Sequence, residues 1–155
     1  MKQEQSIILP HFTADDAYEI GTRLRERLRS LSEKPAVVNI TLANSSNLLF
    51  HACSRPGIFP DNDLWVARKR KTVLRWGMSS WAMHHKMLGN EKIFADKYML
   101  GETAGEYAIH GGGVPVRVTG VEGVVGVIVV SGLKQEEDHQ CIVEALQMFV
   151  RENTH

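Results

Sequence analysis

The fold is decided by one apolar stretch, V-V-G-V-I-V-V-S at residues 124–131. It is rich in β-branched side chains, which fit the pleated surface of a strand. Because it is apolar at nearly every position, we expect both of its faces to be buried. Gly126 interrupts it, and it is far too short to span a bilayer, so we expect no membrane partner.

Four further segments are predicted as strands. Residues 36–43 and 48–53 are separated by the turn residues 44–47, a spacing that predicts a hairpin. Two short strands, at 107–110 and 114–119, flank three consecutive glycines. Strands joined by short turns pair side by side, so the sequence predicts an antiparallel sheet.

The helices are predicted in blocks that are separate from the strands. Thr13 is suited to cap the first of them, with Asp16 completing a capping box, and Pro35 stops it. This arrangement favours an α+β fold over a doubly wound one. We expect residues 1–155 to form a single domain, an antiparallel sheet flanked by helices, with 1–12 as an extended lead-in. The other helices are predicted near residues 61–76, 79–87 and 135–151.

The overall charge is balanced, with 18 basic and 18 acidic residues. No global field therefore draws the chain to nucleic acid, and we expect no nucleic-acid partner. Cys53 and Cys141 fit no zinc or redox spacing, so no metal site is predicted. Without a recognisable secretory signal, we expect a cytoplasmic protein with reduced thiols.

The segment at residues 61–76 is predicted to be a cationic helix, with Asp61 as its N-cap. At about 100° per residue, Arg68, Lys71 and Arg75 lie on one face. Cations at this spacing repel each other, and no acid lies between Arg68 and Trp76. We therefore expect these three cations to bind an anion or to pair with acids from elsewhere, with Arg75 the most buried.

The glycine run at residues 111–113 has two interpretations. A phosphate-binding loop is excluded, because it would need a helix after it, and the V-P-V that follows is extended. The glycines then either allow a close approach between strands or offer their amides as a small anion nest. His110, just before them, is a candidate ligand, base or structural residue.

The loop into the last helix brings three acids, Glu136, Glu137 and Asp138, into its first turn. One explanation is that acidic side chains are favoured near the N-terminus of a helix, where the helix dipole is positive. A second explanation is that some of them face the cations of the 61–76 helix and fix a site there.

Three quoted segments together resemble one family: D-N-D-L-W-V-A-R-K-R-K-T-V-L-R-W-G-M-S-S from Asp61, E-Y-A-I-H-G-G-G-V-P-V from Glu106, and S-G-L-K-Q-E-E-D-H from Ser131. The chain looks like a member of an uncharacterised protein family of the GlcG/HbpS-like superfamily, the haem-degrading domains. The resemblance implies a compact α+β domain that self-associates. It also implies relatives that bind haem or act beside corrinoid and glycolate pathways.

Two functions of different classes follow. The first is a binding module for haem, which would then be its cofactor, or for another small organic anion. Its candidate residues are Arg68, Lys71, Arg75, His110, Gly111, Gly112, Gly113, Gln135, Glu136 and His139. The second is an oligomeric interaction protein without ligand chemistry. No catalytic motif stands out, and an enzymatic role would rest on His110 or His139 as an acid or base. Under either function we expect a homo-oligomer.

Overall fold

The computed structural model describes residues 7–154. Five helices are present there: α1 (Ala14–Leu31), α2 (Pro60–Trp76), α3 (Ser80–Lys86), α4 (Glu91–Lys97) and α5 (Gln135–Asn153). The four strands are β1 (Val37–Leu42), β2 (Leu48–Cys53), β3 (Gly113–Val116) and β4 (Gly126–Ser131), and a 3-10 turn spans Gly101–Glu106. The predicted α+β class is confirmed.

The four strands form one sheet in the order β2-β1-β4-β3, and every neighbouring pair is antiparallel. The predicted hairpin is the β1–β2 pair. All six residues of β4 are buried, and β4 lies between β1 and β3, as its apolar sequence predicts.

The two faces of the sheet are covered by different helices. Alternate residues of a strand point to opposite faces. Ile128 and Val130 therefore join the core beneath α1 and α5, whereas Val127 and Val129 pack against α2. This division places α2 and α5 on opposite sides of the sheet. Their N-terminal ends can therefore meet only beyond the ends of the strands. Within the described residues, no helix is both long and apolar enough to cross a membrane.

Local signals set the start of α1 as predicted. The Thr13 hydroxyl accepts a hydrogen bond from the Asp16 amide at 3.1 Å, and the Asp16 carboxylate accepts one from the Thr13 amide at 2.8 Å. The predicted start of α2 is wrong. Its N-cap is Phe59, because Pro60 takes the first helical position, where its fixed backbone angle and missing N–H cost nothing.

The predicted strand at residues 107–110 is wrong. This segment bonds to α2 instead of to the sheet: the Ala108 amide donates to the Arg68 carbonyl at 3.2 Å, and the Ala108 carbonyl accepts from the Thr72 hydroxyl at 2.8 Å. The following strand is also shorter than predicted, since β3 ends at Val116. The segment therefore runs along α2 as a strap and delivers His110 to the edge of the sheet.

The extended lead-in is described only in part, because residues 1–6 lie outside the described residues. Leu9 forms a parallel bridge with Val118 and is buried in the core. This part of the lead-in is therefore anchored to the domain.

Candidate functional site

A cleft of about 430 Å³ opens where the N-terminal ends of α2 and α5 approach the end of β4. Its volume lies at the lower end of the roughly 300–1,000 Å³ that holds small-molecule ligands. Three parts of the chain line it: the start of α2, the β4–α5 connection, and the end of the strap. The lining residues include Phe59, Trp65, Lys69, His110, Leu133, Gln135 and Asp138.

The floor of the cleft is a buried ion pair between Lys69 and Asp138. Their side chains are 4% and 2% exposed, and the Lys69 Nζ lies 3.4 Å from the Asp138 Oδ2. The ammonium also donates to the Val130 carbonyl at 3.0 Å. The Asp138 carboxylate accepts from the Gly132 and Leu133 amides at 3.3 and 3.0 Å. An ammonium carries three N–H donors, so these contacts leave one donor of Lys69 for the cleft.

Burial changes the acidity of both partners. It lowers the pKa of Lys69, an effect that the Asp138 carboxylate opposes. It raises the pKa of Asp138, an effect that Lys69 and the two loop amides oppose. Both directions follow from the cost of holding a charge away from water, and they bring the proton affinities of the two groups closer together.

The glycine run allows the chain to pass close to this ion pair. A Cβ on Gly112 would lie 2.4 Å from the Val130 carbonyl oxygen and 2.7 Å from the Lys69 Nζ, and the Gly112 φ is +127°. The Gly111 amide donates to the Gln135 Oε1 at 3.1 Å, and the Gly113 amide donates to the Ser80 hydroxyl at 3.0 Å. Two of the three amides are thus engaged within the chain, which favours the close-approach interpretation.

His110 forms one wall of the cleft. Its ring meets the Trp65 ring edge-on at 4.8 Å between centroids, and its Nε2 lies 4.0 Å from the Glu91 Oε1. The Nδ1 is buried without a hydrogen-bond partner in the part of the chain that the structure describes. Burial lowers the pKa of His110, the Glu91 carboxylate opposes this, and the Lys69 charge adds to it. We therefore treat the imidazole as neutral at pH 7.

The three cations predicted to form the site bind the strap and the 3-10 turn that precedes it. Lys71 pairs with the Glu106 carboxylate at 2.5 Å, Arg75 donates to the Tyr107 hydroxyl at 2.9 Å, and Arg68 donates to the Tyr107 carbonyl at 3.1 Å. Within the described chain, none of these cations forms an ion pair with an acid at the start of α5. They lie on a different face of α2 from the cleft floor.

The buried cation of α2 is Lys69, and the prediction that Arg75 is the most buried cation is wrong, because Arg75 is exposed. The sequence carried a signal for Lys69 that the charge pattern obscured. Lys69 lies three residues after Val66 and four before Val73, on the apolar face that packs against the sheet. A lysine within such a face needs a buried partner, and Asp138 supplies it.

The remaining candidate residues are divided between the cleft and other places. Gln135 lines the cleft. Glu136 is exposed, and it is not part of the lining. His139 is buried near Trp81, with 6.1 Å between the ring centroids. Within residues 7–154, no group of three or more His, Cys, Asp or Glu residues is placed to hold a metal ion.

A second groove, of about 510 Å³, lies on the other side of Trp65. Arg68 and Lys71 line it, together with the exposed Leu64 and with Glu106 of the 3-10 turn. Trp65 lines both spaces, whereas Arg68 and Lys71 line only the second one. A ligand larger than the cleft would therefore have to extend around this side chain.

This fold, an antiparallel sheet with helices on both faces and a cleft at the end of an inner strand, defines a class of small α+β domains. The chain belongs to the family described as haem degrading protein HbpS-like, whose model matches residues 12–147. A UPF0303 protein of Streptomyces coelicolor is 43% identical over 151 residues, which cover 97% of this chain and 91% of that protein.

Two solved structures extend the comparison. The crystal structure of Ybr137w, the name of a UPF0303 protein of Saccharomyces cerevisiae, superposes with a TM-score of 0.90 at 36% identity, covering 99% of this chain and 87% of that chain. The crystal structure of a PduOC:heme complex superposes with a TM-score of 0.69 at 17% identity, covering 88% and 93% of the two chains. The second likeness concerns the fold alone.

Proposed function

We propose that the chain is a binding module for a small organic anion, which enters the cleft between α2 and α5. The observation that carries this proposal is the set of hydrogen bonds made by the ion pair at the floor of the cleft. The Asp138 carboxylate already accepts from two loop amides and from Lys69, whereas Lys69 keeps one N–H donor. Lys69 therefore offers a donor at the floor, which suits a carboxylate.

The walls of the cleft suit the organic part of such a ligand. Phe59, Trp65 and Leu133 offer apolar surface on one side. The Gln135 side-chain oxygen is used by the Gly111 amide, so its NH2 group is left to donate to the ligand. A few polar groups within an apolar lining are typical of small-molecule sites.

A titration with short carboxylates, followed by NMR shifts of backbone amides, tests this function. We expect saturable shifts at the start of α5 and in the His110 segment. Gln135→Leu should weaken binding, and Lys71→Met, on the other face of α2, should leave the affinity unchanged. Equal weakening by both variants, or shifts confined to the groove beside Lys71, would assign the anion to the cationic face instead.

Haem is the second candidate ligand. The observation that favours it is the position of His110 in the wall of the cleft. The family description and the PduOC:heme complex point to the same ligand for similar proteins. The residues present fit in one respect, because His110 offers an imidazole in the cleft wall. The bound iron would supply the chemistry, while this chain supplies the imidazole and the donors at Lys69 and Gln135 for a carboxylate.

Haemin titration separates haem from the smaller anions. If haem is the ligand, we expect a sharpened and shifted Soret band that saturates at a fixed ratio of haem to chain. His110→Ala should alter this band, and His85→Ala, an exposed histidine on α3, should not. A free-haem spectrum at stoichiometric protein would remove haem as a ligand.

Self-association is proposed on a different observation. Leu88, Met99 and Phe59 are 84%, 89% and 71% exposed, which is unusual for large apolar side chains. A homo-oligomer would cover part of this surface, and it is also what an interaction protein would need. Light scattering that gives the mass of one chain at micromolar concentration would contradict it. The cytoplasmic location stays a prediction.

A further inference from the structure

We infer that Lys69 forms an imine with the ligand, so that the small anion of the cleft is a 2-oxo acid. This assignment, which rests on the proposed function, names the chemical class of its ligand. It also adds a covalent step that simple carboxylate binding does not require. The feature that carries it is a single primary amine at the floor of a cleft, paired with a carboxylate that can take its proton.

The amine lies at the floor of the cleft and is almost fully shielded from bulk water. Lys69 lines the cleft while its side chain is 4% exposed, and Gly112 passes directly over its Nζ. A buried lysine readily loses its charge, and this is the property that imine-forming lysines share. Here burial lowers the pKa of Lys69, in the direction that favours the neutral amine.

Asp138 is suited to hold the proton that the amine must release. Its Oδ2 lies 3.4 Å from the Nζ, and burial raises its pKa. The Gly132 and Leu133 amides fix the carboxyl group in position. The pair can therefore shift from two charges to two neutral groups by moving one proton over a short distance.

The reaction balances without any other reagent. The Lys69 ammonium passes a proton to Asp138, and the neutral Nζ attacks the carbonyl carbon to form a C–N bond. The carbonyl oxygen takes up two protons, one from Asp138 and one from the nitrogen, and leaves as water when the C–O bond breaks. Loss of water leaves the nitrogen with one N–H, as a protonated imine beside the Asp138 carboxylate. The charge of the site is unchanged.

The carboxylate of a 2-oxo acid would lie next to its carbonyl group, so both must fit in the same small space. The Gln135 NH2 group lies in the lining together with Lys69, and His110 closes the wall beside them. Imine formation uses Lys69 at the carbonyl carbon, which leaves the carboxylate to Gln135. A short 2-oxo acid such as pyruvate is small enough for a cleft of about 430 Å³.

Lys71 provides a control within the same helix. Its side chain is 50% exposed and its hydrogen bond with Glu106 raises its pKa, so it has less neutral amine. Random labelling favours accessible lysines, and Lys71 is far more accessible than Lys69. A preference for Lys69 would therefore have to come from its chemistry and from the cleft.

Borohydride reduction in the presence of pyruvate tests the imine, because it converts the imine to a stable secondary amine. Peptide mass spectrometry of the folded full-length chain should locate the added carboxyethyl group on Lys69, in excess of any on Lys71. Lys69→Arg should lose this label, and Lys71→Arg should keep it. Label spread over the exposed lysines, with none on Lys69, would overturn the inference. This comparison within the unmodified protein holds even if Lys69→Arg does not fold.

Two further probes distinguish failure of the imine from failure of the proposed function. Lactate has the carboxylate without the carbonyl group, so its binding by NMR reports on the function alone. Propanal has the carbonyl group without the carboxylate, so its trapping on Lys69 reports on the amine alone. Lactate binding without pyruvate trapping would overturn the imine and keep the function. If propanal is trapped on Lys69 as readily as pyruvate and lactate does not bind, Lys69 is a reactive amine. The assignment of a 2-oxo acid as the ligand would then be overturned.

Discussion

Two lysines on one helix, two residues apart, meet their acidic partners in opposite environments. Lys71 lies 2.5 Å from Glu106 with both side chains about half exposed, whereas Lys69 lies 3.4 Å from Asp138 with both nearly fully buried. The shorter contact contributes little to stability, because water screens the charges and two long side chains lose freedom. The longer contact matters more, because neither charge can return to water when its partner is removed. The comparison teaches that burial, rather than distance or the density of charge in the sequence, decides which charge of α2 depends on its partner.

The largest expected effect is that of removing the acid of the buried pair. Asp138→Ala leaves the Lys69 ammonium buried with only a carbonyl acceptor, which costs about 3–5 kcal/mol of the free energy of unfolding. Urea denaturation measures this loss. Glu136→Ala, in the same turn of α5 but exposed, is the matched control and should change little. Equal losses for the two variants would show that the floor pair is no more important than a surface charge.

Gly112→Ala tests how closely the chain approaches the same pair. A non-glycine residue at a φ of +127° is strained by about 1–3 kcal/mol, and its Cβ would also press on the Val130 carbonyl and the Lys69 Nζ. We expect a clear fall in melting temperature and weaker anion binding. Gly105→Ala is the control, because no atom lies within 4 Å of its added Cβ. A stability that matches this control would contradict the close approach.

Arg75→Ala tests the other face of α2. The structure changes the expectation drawn from the sequence, because Arg75 is exposed and interacts with the Trp76 and Tyr107 rings and with the Tyr107 hydroxyl. An exposed cation–π contact contributes about 0.5–1 kcal/mol, so the melting temperature should fall only slightly. Arg25→Ala on α1 is the comparison. A large loss of stability or of assembly for Arg75→Ala alone would show that Arg75 is buried between copies of the chain.

The smallest expected effect is the pH dependence that His110 contributes. Burial lowers its pKa in the folded chain below the ordinary value of 6.5; Glu91 opposes this, and Lys69, Arg68 and His84 add to it. The unfolded chain then binds more protons just below pH 6.5, so this part of the stability is lost as the pH falls from 6.5 towards the lowered value.

Denaturation of the parent protein and of His110→Asn across this range measures the contribution. The difference between the two should be constant above pH 6.5 and should shrink as the parent loses stability below it. His85→Asn, on the exposed side of α3, serves as the reference. A parent curve parallel to that of His110→Asn would show that the imidazole is not shielded from water.

The sequence predicted those parts of the fold that depend on neighbours along the chain. The Thr13 capping box, the hairpin of β1 and β2 and the buried strand β4 are all local patterns, and the structure has each of them. The strap at residues 107–110 was misassigned because its partners lie in α2, more than thirty residues away. Short apolar runs do not reveal whether they bond to a sheet or to a helix.

The sequence by itself determined that this chain is an α+β domain of the HbpS-like family, because periodicity, caps and long motifs are properties of consecutive residues. It also supplied His110 and Gln135 as candidates. Only the tertiary structure decided that Lys69 is the buried cation and that Asp138 is its partner. These residues are 69 positions apart in the sequence. The starts of α2 and α5 come together at the end of β4, and they do so only after β4 has paired with β1 and β3. The charge pattern favoured the wrong face of α2. The energetic importance of a charge depends on whether the fold removes it from water, and the sequence pattern alone does not show this.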